Sequence, residues 1–148
     1  MSLRRQLRVF VVDDDPVIVT TLAAIFRLHD EFDVKPFVGP LEAAEAIRTE
    51  PPDVLIAEVM MSSLSGFDLA IQVRGMHPGC KVLLFSGDPN ASEMNEAARI
   101  KGFDFEILAK PVHPVELLKR IHETSGRPYD RPTPLQVSRE AFANQRDL

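Results

Sequence analysis

The sequence has little of what marks secreted, membrane-spanning or nucleic-acid-binding proteins. Its 148 residues include no tryptophan and one cysteine, Cys80, which excludes an internal disulfide and fits a reducing compartment. No apolar run approaches the roughly 18 residues of a membrane span, and the N-terminus lacks the apolar core of a signal peptide. The net charge of −5 disfavours a phosphate-backbone surface. We therefore expect a soluble, cytoplasmic protein that contacts neither membranes nor nucleic acid directly.

The composition is that of a globular domain followed by a tail. Apolar residues make up 45% and charged residues 26% of the chain, which is ordinary for a soluble fold. Residues 1–124 are predicted to form one domain. Residues 125–148 are predicted to be a proline-containing tail or linker, because Pro128, Pro132 and Pro134 interrupt regular structure. Within this tail, residues 135–142 are either a short amphipathic helix or unstructured.

Apolar runs alternate with helical patterns along the chain in five repeats. Strands are predicted at residues 9–12, 32–38, 54–57, 82–85 and 105–109. The second strand contains Pro36, which cannot donate to a ladder and places that strand nearer a sheet edge. Apolar stripes with helical spacing lie between the strands, and one of them is Leu69, Val73 and Met76. Asp15 is predicted to cap the first helix.

Polar residues follow four of the predicted strands at their carboxyl ends. Alternation of strands and helices in short units predicts a doubly wound α/β domain, with a parallel sheet and helices on both faces. Ligands in this architecture bind outside the carboxyl ends of the strands. Asp13 and Asp14 follow the first strand, Glu58 the third, Ser86 the fourth and Lys110 the fifth. We therefore expect these five side chains to meet at one site.

The residue types at this site indicate a particular chemistry. Two carboxylates ~4 Å apart repel each other by about 4 kcal/mol at an effective dielectric constant of ~20, so a cluster of three needs a cation, a proton or a lysine. Hard carboxylate oxygens favour Mg²⁺, which also binds phosphate oxygens. Lys110 can offer an ammonium and Ser86 a hydroxyl to the same phosphate. The site is therefore predicted to carry out phosphoryl transfer around a metal ion.

With these motifs the chain resembles the receiver domain of two-component response regulators, over about residues 7–124. The segments that carry the resemblance are residues 11–16, 52–66, 85–87 and 108–111. The resemblance implies a CheY-like, flavodoxin-like sheet of five parallel strands in the order 2-1-3-4-5. It implies a histidine kinase or phosphotransfer protein as phosphoryl donor and an effector protein as downstream partner. It also implies a homodimer or docking surface on the fourth helix, fifth strand and fifth helix.

The resemblance assigns a role to each candidate residue. The acidic pair Asp13 and Asp14, the carboxylate at position 58 and the backbone carbonyl of Met60 would bind Mg²⁺. Position 58 is the phosphoacceptor position. Ser86 and Lys110 would contact the phosphoryl group, and the Lys110–Pro111 bond would be cis.

Three residues depart from the family pattern. Glu58 stands where the family has the phosphoacceptor aspartate. Ile107, three residues before Lys110, stands where an aromatic switch residue is usual, and Phe105 is the alternative candidate for that switch. Ser62 replaces a proline, which we expect to change loop stiffness only slightly. Gly66 and Gly102 are expected to serve turn geometry.

Two hypotheses about function follow from these residues. In the first, the chain is a signalling module without enzymatic activity whose ordinary phosphorylation is lost or impaired by Glu58, and which acts through protein contacts. Glu58 then either imitates the phosphorylated side chain by reaching Lys110 or marks a degenerate site. In the alternative, Asp13 and Asp15 form the Asp-x-Asp nucleophile pattern of a small phosphatase of the haloacid-dehalogenase type.

Overall fold

A parallel sheet of five strands forms the centre of the protein. The structure, a computed structural model, describes residues 6–88, 91–111 and 113–125. Its strands are β1 (Leu7–Asp13), β2 (Phe32–Val38), β3 (Val54–Glu58), β4 (Lys81–Ser86) and β5 (Glu106–Ala109). The helices in this part of the chain are α1 (Pro16–Phe26), α2 (Pro40–Thr49), α3 (Gly66–Met76), α4 (Ala91–Ile100) and α5 (Pro114–Ser125).

The strand order is β2-β1-β3-β4-β5, and every pair is parallel. This confirms the predicted fold class and topology. The predicted position of β2 at an edge is also confirmed, with Pro36 in register with Val11 of β1. An edge strand tolerates proline because one side of its backbone has no neighbouring strand to bond. Because all five strands run in one direction, their carboxyl ends lie along the same edge of the sheet.

Two apolar layers cover the two faces of the sheet. Alternate residues of β1 divide between them, since Val9 and Val11 face one layer and Phe10 and Val12 the other. The first layer includes side chains of α1 and α5, such as Leu22, Phe26, Leu117 and Ile121. The second includes side chains of α2 and α3, such as Ile47, Leu69 and Val73. Strands that are buried on both faces explain the continuous apolar runs in the sequence.

One predicted core residue is on the surface. Met76, the last member of the α3 stripe, is exposed, whereas Leu69 and Val73 are fully buried. Met76 is the final residue of α3, and the chain turns away there towards the C-cap His77. Helical spacing therefore predicted correctly that Leu69 and Val73 face the core. Met76 belongs to the same stripe, but it lies at the end of α3 and is not covered.

The loops at the carboxyl edge are fixed by helix caps. Asp15 accepts a hydrogen bond from Val17 N at the start of α1, as predicted. At the start of α3, Ser65 and Asp68 form a capping box in which each side chain bonds the other residue's backbone N–H. Both caps satisfy donors that the first helical turn would otherwise leave unbonded. They thereby fix the path of the β1–α1 and β3–α3 loops, which carry the candidate site.

The predicted tail lies almost entirely outside the described residues. Helix α5 ends at Ser125. Residues 126–148, with the suggested helix at 135–142, are not among the residues that the structure describes, so the division of the chain into a domain and a tail stays a prediction. Within the described ranges, no helix is both long and apolar enough to span a bilayer.

Candidate functional site

Lys110 joins two carboxylates at the carboxyl edge of the sheet. Its Nζ atom lies 3.2 Å from Glu58 Oε1 and 3.6 Å from Asp13 Oδ2. The same ammonium lies 5.2 Å from the centre of the Phe85 ring, within cation–π range. The Lys110–Pro111 peptide bond is cis, as the family resemblance implies. The structure thus brings together residues from β1, β3 and the end of β5.

The two carboxylates are largely removed from water. Asp13 is only 4% exposed, and the Glu58 side chain is 13% exposed. Burial raises the pKa of Asp13, although the hydrogen bond from Asp15 N and the charge of Lys110 partly offset the rise. Burial also raises the pKa of Glu58, and again Lys110 opposes the rise. One lysine therefore compensates two buried acids.

Both oxygens of Glu58 have a partner in the site. While Oε1 faces the Lys110 ammonium, Oε2 accepts a hydrogen bond of 3.1 Å from the backbone N–H of Val59. The longer glutamate side chain thus folds back towards its own strand end. Residue types alone could not predict the Val59 contact, because it is a backbone donor whose direction depends on the turn after β3.

The third carboxylate is directed elsewhere. Asp14 Oδ2 accepts a hydrogen bond of 2.8 Å from Ser62 N, and Oδ1 lies 3.5 Å from Ser62 Oγ. Asp14 is exposed, unlike its neighbour Asp13. In the part of the chain that the structure describes, no three histidine, cysteine, aspartate or glutamate side chains are arranged to hold a metal ion. The acidic pair is therefore adjacent in sequence but divided between two sets of contacts.

Ser86 lies beside the lysine at the end of β4. It is buried, and its Oγ accepts a hydrogen bond of 2.9 Å from Asp88 N. Its carbonyl oxygen accepts a bond of the same length from Lys110 N, which ties the ends of β4 and β5 together. Its predicted contact with a phosphoryl group stays a prediction.

The two switch candidates lie on the same side of β5. Ile107 is half-buried and pairs with Leu84, three residues before Lys110. Phe105 comes just before β5 and is 3% exposed, packed against Phe67 with the Arg74 guanidinium 5.4 Å from its ring centre. Phe105 is therefore further from the carboxyl edge than Ile107. A switch role for either residue stays a prediction, as does metal binding by the carbonyl of the exposed Met60.

Gly66 has a different role from the one predicted. A Cβ atom on Gly66 would lie 2.4 Å from the carbonyl oxygen of Glu58, a separation that real side chains do not show. Its φ angle is not positive, whereas that of Gly102 is 93°, as turn geometry requires. The first turn of α3 therefore packs directly on the backbone of Glu58, and only glycine fits there.

The donor atoms of the site suit Mg²⁺. Asp13 Oδ2 is buried, and it has no hydrogen-bond partner among the described residues, so a cation would satisfy it. Asp13, Asp14 and Glu58 carry the hard oxygens that Mg²⁺ prefers, and with the Met60 carbonyl they would hold the ion once Asp14 turned from Ser62 towards the other two carboxylates. When bound, the ion supplies positive charge that neutralises these carboxylates and an incoming phosphate.

The strand order and the position of the site define a CheY-like α/β domain of the flavodoxin type. The family model for the response regulator receiver domain matches residues 9–122. The chain belongs to this family and is a receiver module of two-component signal transduction. Receiver domains typically bind Mg²⁺ at their acidic site. Membership in this family does not favour the phosphatase hypothesis, and in the structure Asp15 caps α1.

The similarity extends to curated relatives and to solved structures. The transcriptional regulatory protein CreB of Escherichia coli (strain K12) is 30% identical over 135 residues, which are 88% of this chain and 56% of CreB. An uncharacterised 14.6 kDa protein of Leptolyngbya boryana is 30% identical over 125 residues, covering 83% of this chain and 93% of that protein. A CheY-like receiver domain protein of Methanospirillum hungatei JF-1 superposes with a TM-score of 0.71 at 24% identity, over 80% of this chain and 92% of that one. The chain spans about half the length of CreB.

Proposed function

We propose that this receiver signals through protein contacts and that its ordinary phosphorylation is lost or impaired because Glu58 occupies the phosphoacceptor position. The observation that carries the proposal is the distance of 3.2 Å between Lys110 Nζ and Glu58 Oε1. In a receiver this lysine would contact the phosphoryl group. Here a side-chain carboxylate already provides the negative charge that the lysine meets.

Geometry supports the loss of phosphoryl transfer. Glutamate carries its carboxylate up to one C–C bond, about 1.5 Å, further from the backbone than aspartate does. A misplacement of about 1 Å at a reacting atom can lower a rate roughly a hundredfold. Both Glu58 oxygens are also engaged, by Lys110 and by Val59 N, so a phosphoryl donor would have to displace one of these partners. The longer side chain and the engaged oxygens both slow phosphoryl transfer to Glu58.

The contacts of Glu58 favour imitation of the phosphorylated side chain over a degenerate site. Glu58 Oε1 meets the Lys110 ammonium, and Val59 N bonds the other oxygen of Glu58, so the carboxylate is held in one direction. The same ammonium lies 3.6 Å from Asp13 Oδ2, so the charge of Glu58 is part of a cluster of three groups. We infer that the cluster holds the domain in one signalling state without a phosphoryl group.

The remaining parts of the proposal concern partners. Response regulators interact with histidine kinases and effectors, and we propose that this chain contacts a histidine kinase or phosphotransfer protein and a downstream effector in the cytoplasm. The surface of α4, β5 and α5 is the candidate for effector docking or a homodimer, and it includes Ile100, which is 83% exposed.

We propose no direct contact with nucleic acid and no enzymatic turnover by this chain. Hydrolysis of a generic phosphate ester such as p-nitrophenyl phosphate would contradict the last point.

The experiment that tests the proposal compares the wild-type chain with a Glu58→Asp variant. Each is incubated with Mg²⁺ and a small acyl-phosphate donor, and the intact mass is recorded over time. We expect a phosphoryl adduct on the variant and roughly a hundredfold slower reaction, or none, on the wild type, because aspartate restores the carboxylate position.

A Glu58→Gln variant is the matched control, since it keeps the length of the side chain and removes its nucleophilic oxygen. Any adduct that remains on this variant lies at another residue and is subtracted. Adducts that form at equal rates on the wild-type and aspartate proteins would show that Glu58 is a working phosphoacceptor. That result would overturn the proposal.

A further inference from the structure

The β3–α3 loop holds Asp14 apart from the other carboxylates. Ser62 donates to Asp14 twice, through its backbone N–H at 2.8 Å and its hydroxyl at 3.5 Å. The Ser62 carbonyl accepts a hydrogen bond of 2.8 Å from Leu64 N, which fixes the loop at this position. Both oxygens of Asp14 therefore face Ser62, whereas Asp13 and Glu58 face Lys110.

We propose that Ser62 is a positioning residue that keeps Asp14 out of the cluster of Asp13, Glu58 and Lys110 and thereby weakens Mg²⁺ binding by this chain. The inference rests on the proposed function, since it treats the acidic site as a receiver pocket with impaired phosphorylation. It adds a second cause of impairment that does not depend on the length of Glu58.

The physical reason is competition for the oxygens of Asp14. A backbone N–H that bonds a carboxylate makes a charge-assisted hydrogen bond, and the short length of 2.8 Å is typical of such bonds. Mg²⁺ demands near-ideal octahedral geometry and tolerates little displacement of its ligands. A carboxylate that is held by Ser62 must turn or share its oxygens before it can serve the ion.

The chemistry of residue 62 makes the proposal testable by substitution. Proline has no backbone N–H, so Ser62→Pro removes both donors to Asp14. Alanine keeps the N–H, so Ser62→Ala removes only the longer hydroxyl contact. The two variants separate the backbone donor, which we hold responsible, from the side chain.

The experiment measures Mg²⁺ affinity by isothermal titration calorimetry in the Glu58→Asp background, where the acceptor has its shorter length. We expect Ser62→Pro to bind Mg²⁺ about tenfold more tightly than the parent, the change that corresponds to one hydrogen bond to a carboxylate. We expect Ser62→Ala to stay within about threefold of the parent, because the stronger bond remains. Urea unfolding without Mg²⁺ shows whether a variant differs in stability alone.

A second measurement needs no substitution at position 62. In the Glu58→Asp protein, the amide proton of Ser62 is followed by NMR during a Mg²⁺ titration. We expect it to move upfield and to exchange faster with solvent as the ion draws Asp14 away. The Ser65 amide, which bonds Asp68 Oδ2 at 2.9 Å in the same loop, is expected to stay unchanged.

Equal Mg²⁺ affinities of the parent and the proline variant would overturn the inference. An unchanged Ser62 amide at saturating Mg²⁺, or no Mg²⁺ binding by any of the proteins, would overturn it as well. The first two results leave unchanged the adduct expected on the Glu58→Asp protein with its Ser62 intact, which tests the proposed function, and the intact-mass experiment records that adduct independently if no protein binds Mg²⁺ measurably. The two proposals can therefore fail separately.

Discussion

A Gly66→Ala variant is expected to lose about 3 kcal/mol of unfolding free energy, although it adds only one methyl group. The added Cβ would lie 2.4 Å from the carbonyl oxygen of Glu58 and 3.2 Å from Leu84 Cδ2. A flexible side chain could move aside, but the carbonyl belongs to the end of β3, which pairs with β4. The start of α3 must therefore shift away from the sheet, and the contacts of buried residues such as Leu69 loosen with it.

Gly75 offers a matched control in the same helix. Apart from its chain neighbours and the backbone of its own helix, no atom lies within 4 Å of a Cβ built on Gly75. Because alanine has a higher helix propensity than glycine, Gly75→Ala is expected to raise the unfolding free energy by roughly 0.5–1 kcal/mol. The same substitution, glycine to alanine, is thus expected to lower the unfolding free energy at position 66 and to raise it at position 75.

Urea unfolding followed by far-ultraviolet circular dichroism distinguishes the two variants, and this signal suits a chain that has no tryptophan. With the slope unchanged, the shift of the midpoint reports the change in free energy. A Gly66→Ala protein with the wild-type midpoint would mean that α3 does not approach the Glu58 backbone as closely as the structure has it.

Sequence patterns predicted the fold but not the Gly66 contact. Apolar runs and turn residues predicted the five strands, the edge position of β2 and the fact that each candidate residue follows a strand end. These features are local, since each follows from the burial of a short segment and from the parallel direction of its neighbours. The fold and the location of the site could therefore be predicted.

Side-chain direction within the site could not be predicted in the same way. Asp14 bonds Ser62, which is 48 residues away in the chain, and Gly66 meets a carbonyl oxygen at position 58. Such contacts depend on the relative position of two loops, which hydrophobic periodicity does not encode. The sequence predicted that Glu58 and Lys110 lie at one site, but the separate contacts of Asp13 and Asp14 depend on how the loops are arranged in three dimensions.

A Lys110→Met variant is expected to lose about 3 kcal/mol of unfolding free energy at pH 8, because it leaves two buried acids without their cation. This value is at the low end for breaking a buried ion pair, since the Lys110 side chain is 22% exposed. Methionine has a similar length and keeps most of the packing against Phe85. Lys110→Arg is the matched control, since it keeps the positive charge, and we expect it to lose less than about 1 kcal/mol.

The loss is expected to shrink as the pH falls. Folding raises the pKa of both acids, so the folded state binds protons more tightly than the unfolded chain, whose ordinary values are 3.8 for Asp13 and 4.5 for Glu58. For each acid, the free energy of unfolding therefore decreases with rising pH between the pKa of the unfolded chain and the higher pKa of the folded protein. It increases again as the pH falls through the same range. Removing Lys110 raises the pKa of both acids in the folded protein further, because the positive charge that favoured their ionised forms is gone. The pH range over which the free energy of unfolding changes therefore extends to higher pH.

The measurement is urea unfolding of the wild type and of Lys110→Met at several pH values from 5 to 8. Subtracting the unfolding free energy of one protein from that of the other removes the contributions that the two share and leaves that of the cluster. A double variant, Lys110→Met with Glu58→Gln, is expected to regain a large part of the loss at pH 8, since it removes one of the two charges that the lysine compensated. A difference that stays constant from pH 5 to 8 would show that Lys110 stabilises the fold by packing and not by its charge. That result would contradict our proposal that the charge of Glu58 takes the place of a phosphoryl group beside Lys110.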